Sequence, residues 1–268
     1  MESASNAPGG PGHRARFTPG GHPDPEMGAA ADAAAEARGI SRERQDAYAA
    51  RSHARSLAAR TAGVFDPELV ALPGADTDDR PRPGLDAATL GRFRPAFSAH
   101  GTVTAGNACG ISDGAAAVAL ISEQLRAASG LPGLRVLASV AVGGDPGLPA
   151  LAAAPAVRAV LDRAVLDLDR VAVLEVTEAF AAQLLVCTDE LGLDPLGADA
   201  DRICPDGGAI AFGHPWSASG ALLVVRLFSR LVRQAPDIER SPGSGTYGVA
   251  ACAIGGGQGL AVLFERVG

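Results

Sequence analysis

There is no lysine anywhere in these 268 residues, so every fixed positive charge is an arginine and Schiff-base chemistry on a lysine amine is excluded. Cysteine is scarce too. The four present (Cys109, Cys187, Cys204, Cys252) follow no Cys-x-x-Cys spacing and have no neighbouring histidines, which points to free thiols rather than a disulfide framework or a metal site. Positive charge is in deficit, with a net charge of -7, and that argues against non-specific nucleic-acid binding, which needs a basic surface. No apolar run is long enough to span a membrane and the first residues lack a signal-peptide pattern, so the expectation is a cytoplasmic globular protein.

What is present is a hydrophobic fraction of 47%, ample for a core, distributed as alternating strand and helix patterns. Residues 1–25, rich in Gly, Pro, Ser and Asn, read as a disordered tail. An alanine-rich helix from Met27 ends at Gly39, and Ser41 caps a second helix closing at Gly63. Residues 71–86 read as an irregular connection. The continuous small-apolar run Ala115 to Ile121 predicts a fully buried strand, with a helix behind it ending at Gly130. Val136 to Val142 and Val171 to Val176 predict two more strands; Val157, Val160, Leu161 and Ala164 form a helical stripe between them, and a further helix begins near Glu178. Tyr247 to Ile254 and Leu260 to Arg266, joined by Gly255-Gly-Gly-Gln-Gly259, predict an antiparallel hairpin. Strands alternating with helices predict an α/β fold with helices on the sheet faces.

The stretch Asp206-Gly-Gly-Ala-Ile-Ala-Phe-Gly-His214-Pro-Trp-Ser-Ala-Ser-Gly220 places one imidazole between a glycine-dense turn and a helix start. Ser217 or Ser219 is expected to cap a helix carrying Val224, Leu227, Phe228 and Leu231, which puts His214 on a strand-to-helix connection. An imidazole titrating near pH 6.5 suits proton transfer, although a lone histidine serves structure as readily.

The His214 stretch resembles the Gly-Gly-x-x-x-x-Gly-His-Pro segment of the thiolase family. Three more segments are similar to that family in the same order: Val103-Thr-Ala-Gly-Asn-Ala-Cys-Gly-Ile-Ser-Asp-Gly-Ala-Ala-Ala117, Glu178-Ala-Phe-Ala-Ala-Gln183 and Cys252-Ala-Ile-Gly-Gly-Gly-Gln-Gly259. The resemblance implies a layered αβαβα architecture with an incomplete first core domain and a complete second one. It divides the chain into residues 26–105 as part of a coenzyme A binding lid, 106–130 as the last part of the first core domain, and 131–268 as the second core domain. It implies a coenzyme A thioester as substrate, with no covalently bound cofactor. Among Arg42, Arg44, Arg51 and Arg55, either the nucleotide phosphates or plain solvent would be the partners.

Residue by residue, the resemblance implies His214 as the base that activates a cysteine, the N–H of Gly255 as an oxyanion donor, and Thr177 in place of an asparagine that positions a water. The family's second catalytic cysteine corresponds to Ala253. Cys252, one residue early, is expected on the opposite strand face as an apolar filler, unless a bulge near the glycines turns its thiol inward. Met27 and Phe180 would line the acyl pocket or simply pack in the core. Cys109 would lie near pantetheine or pack, and Trp216 would thicken the pocket wall.

The family's nucleophilic cysteine, in a Cys-x-Ser-Gly-like context, has no counterpart here. The expectation is therefore a split enzyme, a hetero-oligomer in which an N-terminal thiolase-like chain brings that cysteine. A catalytically silent partner of another thiolase-like chain and a free-standing acyl-CoA binding module are the competing expectations.

Overall fold

A computed structural model describes residues 16–74, 78–234 and 246–268. In chain order its elements are α1 (Met27–Arg38), α2 (Arg42–Thr61), α3 (Ala87–Leu90), α4 (Glu123–Ser129), β1 (Gly133–Gly143), α5 (Ala153–Ala164), β2 (Val171–Val176), α6 (Ala181–Leu191), α7 (Ala209–Phe212), α8 (Ser219–Phe228), β3 (Tyr247–Ile254) and β4 (Gln258–Val267).

The two N-terminal helices form where the sequence places them, for the reasons it suggests. Gly39 ends α1 in the left-handed conformation, and the Ser41 hydroxyl accepts the Arg44 N–H to start α2. The expected tail is only partly within the described residues, since 1–15 lie outside them. Residues 16–25 are held rather than loose: the Arg16 guanidinium donates to the carbonyls of Thr18 and His22, and the Phe17 N–H donates to Asp24.

The four strands pair in the order β1-β4-β3-β2, antiparallel except for the parallel β2/β3 pair. Alternation along β3 sends Val249 and Ala251 into the main core with α5 and α6, and Ala250 to the other face, where it meets Leu227 of α8, Leu231 and Phe264. Helices thus cover both faces, as the α/β expectation requires. On α5 the stripe of Val157, Val160 and Leu161 is buried against the sheet, each contributing about 1.5–3 kcal/mol of transfer free energy.

One strand expectation fails. Residues 115–121 form neither helix nor strand and have no ladder partner among the described residues, and Leu120 is 84% exposed, Ile121 51% and Val118 43%. The composition is that of a covered strand, yet no strand among the described residues lies beside it. The uncovered surface continues through Leu125 and Leu131 to Val136 and Leu137 of the edge strand β1.

Candidate active site

His214 is not on a strand-to-helix connection. It follows the short helix α7 and precedes a 3-10 turn over Trp216–Ala218, and its local partner is the extended stretch 107–111. That stretch is shared. Its Asn107 carbonyl accepts from Ala181 N–H at 2.9 Å, its Cys109 N–H donates to the Ala179 carbonyl at 2.9 Å, and its Gly110 carbonyl accepts from His214 N–H at 2.9 Å. Residues 107–111 therefore hold the Phe180 loop on one side and His214 on the other.

The rest of the loop is pinned from below. Glu178 is fully buried and accepts from Tyr48 Oη at 2.6 Å, Ser52 Oγ at 2.7 Å and Ile210 N–H at 3.3 Å, so one carboxyl joins α2, the start of α6 and α7. Burial raises its pKa, and the Ser52 and Tyr48 bonds oppose that rise. Gly208 lies against this carboxyl and has no room for a side chain. Asp206, at the head of the loop, pairs with Arg226 of α8, which also pairs with Glu68 and lies 4.5 Å over the Phe65 ring.

Ser219 does not cap α8; it is the first residue of that helix, and its Oγ lies 2.6 Å from Nδ1 of His214. This fixes the imidazole and leaves Nε2 as the nitrogen available to a reactant. Burial lowers the His214 pKa below its ordinary value of 6.5, which keeps the ring neutral and able to accept a proton at neutral pH. The motif spacing from His214 to a serine five residues on was the signal for this contact, obscured by the equally reasonable capping role.

Thr177 ends the covered edge of the sheet. Its N–H donates to the Ala251 carbonyl at 3.1 Å, and its Oγ1 is buried with no partner among the described residues. An orphaned hydroxyl at this position is free to hold a water or a substrate oxygen. Gly255 begins the hairpin turn, buried, with the Phe17 ring packed where a side chain would stand. Gly256 and Gly257 follow at φ +84° and +75°, values that favour glycine.

The remaining candidates divide. Phe180 packs edge-on against Phe97 with ring centroids 5.8 Å apart, and Phe97 lies on Gly28, next to Met27 at the start of α1. Cys109 sits in the shared stretch. Trp216 is 57% exposed. Strand register pairs Cys252 with Leu260 and Ala253 with Gly259, with Ala253 packed beside the main core. Cys252 accordingly shares the α8 side with Ala250, and no bulge interrupts the β3/β4 pairing there.

All four thiols are free and all are held protonated by burial. Cys109 and Cys187 are each pushed up to about 12, and Cys204 and Cys252 are also raised.

Two family models match this chain: residues 21–124 match the N-terminal thiolase domain and residues 131–266 the C-terminal thiolase domain. The Bacillus subtilis protein YhfS is 42% identical over 269 residues, covering 98% of this chain and 69% of that protein. The acetyl-CoA acetyltransferase of Pseudomonas aeruginosa is 40% identical over 91% of this chain and 61% of its own length. The crystal structure of the Bacillus anthracis acetyl-CoA acetyltransferase superposes with a TM-score of 0.81 at 34% identity, covering 91% of this chain and 61% of that one. The chain thus spans between about three-fifths and 69% of the length of these relatives.

Proposed function

The chain belongs to the thiolase family, and from that premise we propose that it is the histidine-bearing subunit of a heteromeric acyltransferase acting on a coenzyme A or carrier-protein thioester. The nucleophilic cysteine comes from an N-terminal thiolase-like partner chain. The observation that carries this reading is the mismatch between base and thiol: His214 is neutral, fixed through Nδ1 and open at Nε2, while all four of the chain's own thiols are raised away from the thiolate. The bare apolar stretch 115–121, in line with the residues that hold His214, supports the same reading as the place where the partner's strands pair.

In this scheme Nε2 of His214 takes the proton of the incoming thiol, whose sulfur attacks the thioester carbonyl; the coenzyme A thiolate departs and the acyl group rests on sulfur. The Gly255 N–H and a water held by Thr177 Oγ1 meet the developing oxyanion. The methyl group of Ala253 cannot remove an α-proton, so the second step either condenses a carbanion formed by decarboxylation, as from a malonyl thioester, or passes the acyl group to oxygen or nitrogen.

The test is co-expression with the cysteine-bearing chain, co-purification and an acyl-transfer assay. His214→Ala lowers the rate of the complex by about 10²–10⁴, without dissolving it. Deuterium exchange into acetyl-CoA at the rate of an ordinary thiolase would count against the decarboxylative route. A second reading, a silent partner that stabilises another thiolase-like chain, is favoured by the Thr177 and Ala253 replacements; it predicts that His214→Ala leaves the rate of the complex untouched.

A further inference from the structure

The segment that ends in His214 is gripped at both ends by one face of α8. Ser219 and Arg226 stand seven residues apart on that helix, two turns along the same side of it. The first meets Nδ1 of His214 through its Oγ at 2.6 Å, and the second donates through Nη2 to the carboxylate of Asp206, where the segment begins. Ser219, Arg226 and Asp206 are all buried.

Arg226 is itself held from a distant part of the chain. Its Nη1 donates to Glu68, a few residues beyond α2, and its guanidinium lies 4.5 Å over the buried Phe65 ring. The same ring meets Phe212, two residues before His214, edge-on with centroids 5.0 Å apart. Gly213 follows at φ +92°, a conformation in which no side chain of its own stiffens the turn, so its course is kept by what grips it on either side. Arg230 reaches Asp206 at 3.6 Å, and the buried Glu175 of β2 adds a third carboxyl within electrostatic reach of Arg226.

An ion pair buried in this way contributes little net stability, because desolvation offsets most of the attraction; what the planar fork of an arginine supplies is a fixed geometry. Geometry is what a general base needs, since a misplacement of about 1 Å at the reacting atoms costs roughly 10²-fold in rate. We infer that Arg226 is a positioning residue for His214: backed by Phe65 and Glu68, it fixes the course of residues 206–214 and so keeps the imidazole on Ser219 with Nε2 open to the reactant. The inference rests on the acyl-transfer reading given above.

The experiment has a spectroscopic and a kinetic readout. In the full chain carrying isotope-labelled histidine, the ring nitrogens of His214 are assigned by their loss in His214→Ala. The parent is expected to show an excess of the Nδ1–H tautomer, as a base acting through Nε2 requires. Arg226→Gln is expected to bring the two nitrogens towards a common, averaged shift. In the co-purified complex it is expected to lower kcat by about 10²-fold, with KM for the thioester within about twofold of the parent. Arg226→Lys keeps the charge and loses the fork; Phe65→Leu keeps apolar bulk and loses the ring contact with Phe212. Both are expected to fall between parent and Arg226→Gln, and because they disturb the buried charges less, they decide the question if the glutamine variant does not fold. Unchanged nitrogen shifts or an unchanged kcat in the folded variants, a loss in KM alone included, would overturn the inference and leave the acyl-transfer reading standing. Absence of acyl transfer by the parent complex would overturn that reading and this inference with it.

Discussion

Two short apolar runs in this chain look alike on the page and end up differently. Val171-Ala-Val-Leu-Glu-Val176 becomes β2, parallel to β3, with Val173 in one core cluster and Leu174 in the other, and with the carbonyl of Arg202 and the N–H of Cys204 closing its free edge. Ala115-Ala-Ala-Val-Ala-Leu-Ile121 forms no strand and, among the described residues, has neither a neighbouring strand nor a cover. The difference lies in the neighbours. A run of small apolar residues states that it will be buried, but a sheet needs other backbone to satisfy its N–H and C=O groups, and only the first run finds that backbone here.

The contrast can be broken most sharply at its covered end. Leu174→Asp places a charge in a fully buried position and is expected to cost more than about 4 kcal/mol, enough to abolish a cooperative thermal transition followed by circular dichroism. Leu120→Asp, at the bare end, is expected to stay within about 0.5 kcal/mol of the parent in the same melt, yet to lose association with the cysteine-bearing chain proposed above by at least about tenfold in size-exclusion or pull-down measurements. A complex that survives Leu120→Asp unchanged would mean that the partner docks elsewhere.

A smaller effect sharpens the comparison within β2 itself. Glu175 is buried on that strand, and burial pushes its pKa up to about 8 despite the charge of Arg226. Because its folded pKa lies above its unfolded one, whatever it contributes is fully present below about pH 4.5 and is lost as the pH rises towards 8. Glu175→Gln should therefore match the parent at pH 4 and exceed it at pH 8 by on the order of 2 kcal/mol. A constant difference between the two melts across that range would contradict the assignment.

The sheet and most helices were legible because their signals are local. Period-two and period-3.6 patterns, the Ser41 cap and the Gly39 stop all act within a few residues. His214, Thr177, Gly255 and Phe180 were legible as candidates because four ordered motifs resemble one family, and the structure ties two of them, His214 and the Phe180 loop, to residues 107–111. Less legible was anything decided by pairing across the chain. Ser219 fits a cap and a histidine partner equally well in sequence, and only the loop's path chooses between them. The arginines of α2 look like phosphate ligands until Asp189 and Asp201, nearly 150 residues away, are brought beside them. The fate of residues 115–121 depends on pairing, and no described strand lies beside them.

Residues 107–111 run directly into that bare stretch, with only a few residues between the carbonyl that anchors His214 and the start of the run. Seating a foreign strand on the exposed backbone would therefore set the register of the very peptide groups from which His214 hangs. If the partner proposed above pairs there, recruitment and reactivity run through one continuous ribbon.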